Sequence, residues 1–217
     1  MRKPPLSPTT LKRFPRYLAL ARALQEQGWD YIKSADIARA CDIQEILVRK
    51  DLLQTGVRGR QHCGYPIAAL TKAIVNMIGW NRSRRAIIVG TGFFPRAIVR
   101  ASAFKVGHIE FALATDVEVE NVGGEIEGLE ILPFEEACAR VKEENVELAI
   151  LSVPIERAQQ ATDGLVKAGI RTILNLTDAC LTVPEAVRSV DADLAPFLAT
   201  LCRDMTEKDA RRAAGRK

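Results

Sequence analysis

The sequence is poor in the residues that metal sites and disulfide frameworks require. It contains two histidines and five cysteines among 217 residues, and no two cysteines are spaced as C-x-x-C. Zinc sites and disulfide frameworks depend on closely spaced Cys and His residues. The sequence therefore predicts no metal site, and it predicts small, reduced and mostly buried thiols.

Long hydrophobic runs are also lacking. No apolar run approaches the roughly 18 residues of a membrane span, and no signal-peptide pattern precedes Ser7. We therefore expect no membrane association and a cytoplasmic location. With 47% hydrophobic residues, the chain is still apolar enough to bury one large core or two modest ones.

Charge is unevenly distributed along the chain. Residues 1–85 contain 16 Lys or Arg and 6 Asp or Glu, a net charge of +10, whereas residues 86–217 contain 15 basic and 21 acidic residues, a net charge of −6. A basic module favours a polyanionic partner, because binding to phosphates releases condensed counterions. The N-terminal part is therefore a candidate nucleic-acid-binding domain.

Helix-start signals recur in this basic part. Ser7 and Pro8 predict the beginning of a helix that Gly28 ends, and Ser34 and Asp42 are expected to cap two further short helices. Two short capped helices joined by a tight turn are typical of a helix-turn-helix. The second of them is the helix expected to enter a DNA groove.

In that second helix, Ile46, Leu47 and Leu53 are expected to face the core. The segment after Gly56 is rich in glycine and arginine, which predicts a hairpin that forms the wing of a winged helix and reaches phosphates or the minor groove. The side chains predicted to contact DNA are Gln44, Arg49 and Lys50 of the helix and Arg58, Arg60, Gln61, His62 and Tyr65 of the wing.

The acidic part opens with a dinucleotide-binding pattern. An apolar strand over 85–89 runs into Gly90-Thr91-Gly92, and Asp116 ends a second apolar run about 25 residues later. Such a turn brings backbone close to a pyrophosphate at a helix N-terminus, and the acid binds a ribose diol. The third glycine of G-x-G-x-x-G is replaced by Pro95, which is compatible with a first helical turn.

Strands and helices then alternate, which predicts a Rossmann-like, doubly wound parallel sheet of the α/β class. Ser152-Val153-Pro154 follows a strand at the edge where such sheets bind ligands.

We place the domain boundaries at 1–81 for the winged helix, 82–190 for the Rossmann-like domain and 191–217 for a C-terminal helix and tail. The predicted cofactor-binding residues are Gly90, Thr91, Gly92, Phe93, Phe94, Asp116, Ser152, Val153 and Pro154.

These motifs together resemble the Rex family of redox-sensing transcriptional repressors, from about Leu6 to Leu201. The resemblance implies a homodimer in which each C-terminal helix, about Asp193–Met205, crosses to the partner in a domain swap. It also implies that NADH closes the Rossmann pair and releases DNA, whereas NAD⁺ permits binding to a pseudo-palindromic operator. The motifs that carry it are Val48-Arg49-Lys50-Asp51-Leu52, Gly64-Tyr65, Gly90-Thr91-Gly92, Ser152-Val153-Pro154 and Val183-Pro184.

The last helix has an apolar face. Leu194, Leu198 and Leu201 lie at helical spacing, with Phe197 beside them, and exposing them to water costs about 25 cal/mol per Å² of apolar surface. They are expected to pack in a dimer interface. The family resemblance further implies that Arg13 pairs with Asp191 across subunits.

The sequence departs from the family around the cofactor and the wing. Thr115 stands where the family has an aromatic residue beside the ribose acid, Ala101 where some members have a tyrosine near the nicotinamide, and Ala192 where the partner's helix donates a larger apolar residue. Gln61-His62 replaces the usual Arg-Gly of the wing.

We therefore predict a repressor that responds to the NADH/NAD⁺ ratio, and we keep three alternatives. They are a related regulator with a different or lost ligand, a purely structural DNA-binding dimer, and an NAD-dependent oxidoreductase. The oxidoreductase needs a proton donor near the strand ends. Neither histidine fits that position, and all three tyrosines lie in the basic part. We therefore expect no enzymatic activity.

Overall fold

The computed structural model describes residues 6–101, 104, 107–192 and 195–214. The chain divides into two compact units, Met1–Arg82 and Ser83–Lys217. Each unit has a hydrophobic core of its own. Within the described residues, no helix combines the length and the apolar character that a membrane span needs.

From residue 6 onward, the N-terminal unit consists of four helices and a two-stranded sheet. The first helix begins as predicted, because the Ser7 Oγ accepts a hydrogen bond from the Thr10 N–H at 3.1 Å and Pro8 occupies the first helical position. The elements are α1 (Pro8–Glu26), β1 (Tyr31–Ile32), α2 (Ser34–Cys41), α3 (Glu45–Thr55), β2 (Tyr65–Pro66) and α4 (Ile67–Met77).

The predicted caps of α2 and α3 were wrong in detail. Lys33 is the residue before α2, and Ser34 is already helical. Asp42 ends α2 in the left-handed conformation, with φ of 53°, which Asp tolerates better than most residues. Because Asp42 closes the preceding helix, Gln44 becomes the residue before α3.

The buried face of α3 also differs from the prediction. The helix turns Val48, Asp51, Leu52 and Thr55 inward. Ile46 is 59% exposed, Leu47 37% and Leu53 73%, so the expectation that they face the core was wrong. The reason is that the buried face includes a carboxylate, which a search for apolar spacing does not select.

The C-terminal unit is a doubly wound sheet, as predicted. Its strands are hydrogen-bonded in the order β5-β6-β4-β3-β7-β8-β9, all parallel except for β5, which runs antiparallel to β6. The elements are β3 (Arg84–Val89), α5 (Phe93–Arg100), β4 (Ile109–Asp116), β5 (Glu125–Ile126), β6 (Leu129–Pro133), α6 (Phe134–Arg140), β7 (Val146–Leu151), α7 (Ile155–Ala168), β8 (Thr172–Asn175), β9 (Arg188–Asp191) and α8 (Ala195–Ala214), with a 3₁₀ turn over Val119–Asn121.

The strand order determines where a ligand can bind. The chain leaves β3 in one direction toward β4 and β6 and later returns to its other side with β7. The order therefore reverses between β3 and β7, and open α/β sheets bind ligands beyond the carboxyl ends of the strands at such a point. The predicted glycine turn and Ser152-Val153-Pro154 follow these two strands.

The last helix, α8, presents apolar side chains to solvent in the single chain. Leu198 is 59% exposed, Leu201 58% and Met205 64%. Of the other predicted interface residues, Leu194 and the side chain of Phe197 lie outside the described part of the chain.

Candidate nucleotide site and DNA-contact surface

Gly90 lies where the ends of the two central strands, β3 and β7, come close together. Its φ of +101° is in the region that favours glycine, and a Cβ there would overlap the Ser152 carbonyl oxygen and lie 2.7 Å from its carbonyl carbon. The Gly90 N–H donates to the Thr115 carbonyl at 2.8 Å, and the Ser152 N–H donates to the Val89 carbonyl at 2.8 Å. Glycine is therefore required for the ends of β3 and β7 to approach each other.

Gly92 borders open space at the N-terminus of α5. It is the residue before the helix, and a Cβ on it would meet no heavy atom within 4 Å. Pro95 occupies the third helical position and is buried. Its missing N–H belongs to the first turn, where no intrahelical acceptor exists. The replacement of the third glycine thus removes no helical hydrogen bond.

Asp116 ties the second strand to the glycine turn. The residue is 5% exposed. Its Oδ2 accepts from the Thr91 N–H at 2.9 Å, from the Thr91 hydroxyl and from the Asn121 amide at 3.0 Å, whereas Oδ1 accepts from the Glu118 N–H at 3.1 Å. A carboxylate oxygen has two lone pairs. Oδ1 therefore retains acceptor capacity for a ligand hydroxyl.

Two neighbours of this turn were not anticipated from the sequence. Arg96 donates from Nε to the Thr91 carbonyl at 3.1 Å and from Nη1 to the Glu125 carbonyl at 3.0 Å. Asn121 reaches Asp116 from the 3₁₀ turn. Neither residue belongs to the glycine fingerprint, and only the folded backbone brings them to it. Arg96 adds a positive charge beside the N-terminus of α5.

A cavity of about 870 Å³ lies between α6 and α7 and includes Asp116 in its wall. Two of its lining residues are in close contact, because a Cβ on Gly164 would lie 2.6 Å from the Phe134 ring. Burial, and secondarily the charge of Glu135, raise the pKa of the Cys138 thiol in the wall to about 11, so this thiol stays protonated at neutral pH. The volume lies within the range of small-molecule sites.

The remaining predicted cofactor residues surround the strand ends. Val153 is 8% exposed, and Pro154 is the residue before α7. Phe93 and Phe94, at the start of α5, are 89% and 46% exposed. Thr115 is fully buried, and its hydroxyl donates to the Leu132 carbonyl at 2.8 Å, so its side chain faces into the protein.

The predicted DNA-contact residues in and next to α3 are exposed. Gln44 lies immediately before the helix, and Arg49 and Lys50 lie within it. Arg49 donates from Nε and Nη2 to the Glu45 Oε1 at 2.9 and 2.8 Å, and the Ser34 hydroxyl donates to the same oxygen at 2.7 Å. The hydrogen bonds from Ser34 and Arg49 lower the pKa of the Glu45 carboxyl.

The predicted wing is a tight turn that returns the chain to the two-stranded sheet. The Arg60 N–H donates to the Gly64 carbonyl at 2.7 Å, and β2 pairs antiparallel with β1. The Arg60 guanidinium lies 5.4 Å from the centre of the Tyr31 ring, a cation–π arrangement. Of the predicted wing contacts, Arg58, Arg60, Gln61 and His62 are exposed and Tyr65 is half-buried.

The two residues that the family resemblance pairs across subunits have other partners within the chain. Arg13 donates to both carboxylate oxygens of Asp51. Asp191 accepts from the Asn175 amide at 2.8 Å. A pair between Arg13 and Asp191 of two subunits stays a prediction.

Comparison with known proteins places both units in one family. The family model described as "CoA binding domain" matches residues 81–179, and that described as "Putative DNA-binding protein N-terminus" matches residues 6–52. A Treponema denticola protein named redox-sensing transcriptional repressor Rex is 36% identical over 199 residues, which cover 92% of this chain and 94% of that protein.

Solved structures have the same fold. The crystal structure of RSP, a Rex-family repressor, in complex with beta-NAD⁺ and operator DNA matches 99% of both chains at 24% identity, with a TM-score of 0.85. The complex of RSP with beta-NADH matches 96% of this chain and 98% of that one at 23% identity, with a TM-score of 0.83. At this identity the match establishes the fold.

Proposed function

Because this chain belongs to the Rex family of redox-sensing transcriptional repressors, we propose that it is a homodimeric cytoplasmic repressor that senses the NADH/NAD⁺ ratio. Its N-terminal unit binds a pseudo-palindromic operator, and its C-terminal unit binds NAD(H). The glycine turn carries the proposal. Gly90 permits the close approach of the strand ends, and the space in front of Gly92 is open.

The residues present fit a dinucleotide. Backbone N–H groups at the start of α5 and the Arg96 cation favour a pyrophosphate beside Gly92. The Asp116 Oδ1 accepts a ribose hydroxyl, and its negative charge disfavours the 2′-phosphate of NADP(H). The cavity between α6 and α7 takes the adenosine end, and Ser152-Val153-Pro154 borders the other half.

The N-terminal unit fits duplex DNA. Gln44, the residue before α3, and Arg49 and Lys50 of α3 are exposed, whereas Val48, Asp51 and Leu52 are buried, and exposed polar and basic side chains are those with which a recognition helix contacts the major groove. Arg58 and Arg60 project from the adjoining turn, where they contact phosphates. A two-fold dimer presents two such surfaces and therefore requires an inverted repeat.

A second candidate is a Rex-like regulator with a different ligand, and one observation favours it. The side chain of Thr115, at the position beside Asp116 where the family has an aromatic residue, is hydrogen-bonded into the protein interior. Thr115 therefore provides no aromatic ring that could contact the cofactor.

Selection from random duplexes, followed by ligand titration of the selected complex, tests the proposal. We expect an enriched inverted repeat, an affinity that falls steeply with salt, and release of DNA by NADH in preference to NAD⁺. NADP(H) serves as the matched control and should act weakly. If no inverted repeat is enriched, the repressor function is wrong. If the repeat is enriched but no pyridine nucleotide binds the folded dimer at millimolar concentration, the chain is a Rex-like regulator with a different or lost ligand.

A further inference from the structure

The Arg49 side chain is held by a partner on its own helix. Both its Nε and its Nη2 donate to one oxygen of Glu45, at 2.9 and 2.8 Å. Glu45 is the first residue of α3, one turn before Arg49. The N-terminal residues of a groove-reading helix are those that contact base edges. The carboxylate therefore lies on the DNA-contact face, where its charge repels phosphate.

Glu45 is itself anchored to the neighbouring helix. The Ser34 hydroxyl, on a residue only 9% exposed at the start of α2, donates to the same Oε1 at 2.7 Å. A simple i,i+4 ion pair on a helix surface has no such third member. This hydrogen bond fixes the carboxylate, and the carboxylate in turn restricts the rotamers of the arginine.

We propose that Glu45 is a positioning residue that holds the Arg49 guanidinium in one orientation for reading a base pair, a role that rests on the proposed operator binding. The planar guanidinium donates bidentately to guanine, so its orientation determines which base is accepted. An arginine without this partner has more rotamers available, and in some of them it reaches phosphates instead of base edges. Ser34 supports the same orientation from α2.

The proposal and simple electrostatics predict different results for the base discrimination of Glu45→Ala, because a uniform gain in affinity leaves discrimination unchanged. Removal of a negative charge from a DNA-binding surface raises the affinity for every duplex. Loss of a positioning residue instead lowers discrimination at the base pair that Arg49 reads, by roughly five- to 150-fold for one bidentate contact. We expect Glu45→Ala to bind non-operator DNA more tightly and to lose base preference at that one position.

The experiment measures affinities for the operator and for single-base variants at fixed salt. It compares wild type with Glu45→Ala, Glu45→Gln, Ser34→Ala, Arg49→Ala and the Glu45→Ala/Arg49→Ala double variant. Glu45→Gln keeps an acceptor oxygen and should retain part of the preference, and Ser34→Ala should weaken it at the same position. The double variant should be no less selective than Arg49→Ala. Asp36→Ala is the charge control, because it also removes one negative charge from this domain. The Asp36 Oδ1 lies 3.7 Å from Nη1 of Arg39, which is on α2 like Asp36 itself.

The possible outcomes are distinct. If Glu45→Ala keeps the base preference, or changes it at a base pair other than the one that Arg49→Ala affects, Glu45 does not position Arg49. In that case the wild-type preference for an inverted repeat still stands, so the proposed function survives. Unfolding midpoints of the variants, measured by tryptophan fluorescence, exclude loss of the folded domain as the cause. Both tryptophans, Trp29 and Trp80, lie in the N-terminal unit.

Discussion

Arg13 of α1 and Asp51 of α3 form a bidentate ion pair on the buried side of α3. The Arg13 Nε and Nη2 donate to Asp51 Oδ2 and Oδ1, each at 2.7 Å. Asp51 is only 2% exposed, and it also accepts from the hydroxyls of Tyr17 at 2.8 Å and Thr10 at 3.1 Å. The buried carboxylate thus has four donors, all from α1, and it fixes the orientation of α3 relative to that helix.

Arg13→Ala should destabilise the N-terminal unit severely. It leaves the Asp51 charge buried without its cation, and breaking a buried pair from one side costs about 3–5 kcal/mol. Arg16→Ala is the matched control, because Arg16 is an exposed arginine on the same helix and its loss should cost less than about 0.5 kcal/mol. Urea unfolding followed by tryptophan fluorescence measures both. Equal midpoints for the two variants would contradict a structural role for the Arg13–Asp51 pair.

The hydroxyl of Tyr17 predicts an alkaline limit to the stability of this unit. Burial, and then the hydrogen bond to Asp51, raise the pKa of Tyr17 above its usual value near 10. A raised folded-state pKa contributes stability that is complete below pH 10 and is lost as the pH rises from there toward the folded-state pKa. Tyr17→Phe should therefore lose less stability than wild type between pH 10 and 12, although it starts lower. Parallel profiles for the two proteins would refute this.

The sequence was sufficient to predict the sheet but not this network. Apolar runs, the glycine turn and Asp116 are local signals, and the strand order and glycine geometry agree with them. Asp51 gives no such signal, because a carboxylate is assigned to the surface unless its partners are known, and Arg13 is 38 residues away. The same error reversed the expected orientation of Leu53. Glu45 was missed because its role depends on contacts with two other side chains.

Alanine at the two glycines of the turn should separate folding from ligand binding. Gly90→Ala introduces a clash with the Ser152 carbonyl and strains a positive φ, so it should lower the stability of the C-terminal unit by more than about 1 kcal/mol. Gly92→Ala meets open space and should fold normally, but its methyl group enters the space proposed for the pyrophosphate. Circular dichroism on heating and calorimetric NADH titration measure the two effects. Tight NADH binding by Gly92→Ala would argue against this pyrophosphate position.

The apolar face of α8 should be required for dimerisation. Leu198→Lys with Leu201→Lys places two charges on the face where both leucines are more than half exposed in the single chain. We expect a folded monomer with at least tenfold weaker operator binding, because one subunit contacts one half-site. Thr200→Lys lies on the opposite side of the helix and is the matched control. Sedimentation that shows a dimer for the double variant would place the interface elsewhere.

The final prediction concerns redox discrimination. NAD⁺ carries a positive charge on its nicotinamide ring, so a dry apolar wall around that ring penalises the oxidised form more than NADH. The family resemblance implies larger side chains at the positions of Ala101 and Ala192, so we expect the apolar wall to be thinner in this protein. We therefore expect NADH to bind only modestly more tightly than NAD⁺. We also expect operator binding to change by a factor near the low end of typical allosteric coupling, about fivefold.

Calorimetry with both cofactors measures the ratio of the NADH and NAD⁺ affinities. The variant Ala101→Tyr should increase this ratio while leaving the adenosine contacts at Asp116 unchanged. The coupling between cofactor and operator cannot exceed the difference in cofactor affinity between the two conformations, so the DNA response should rise in parallel. A wild-type protein that binds NADH far more tightly than NAD⁺ and releases its operator completely would show that these two alanines do not limit sensing.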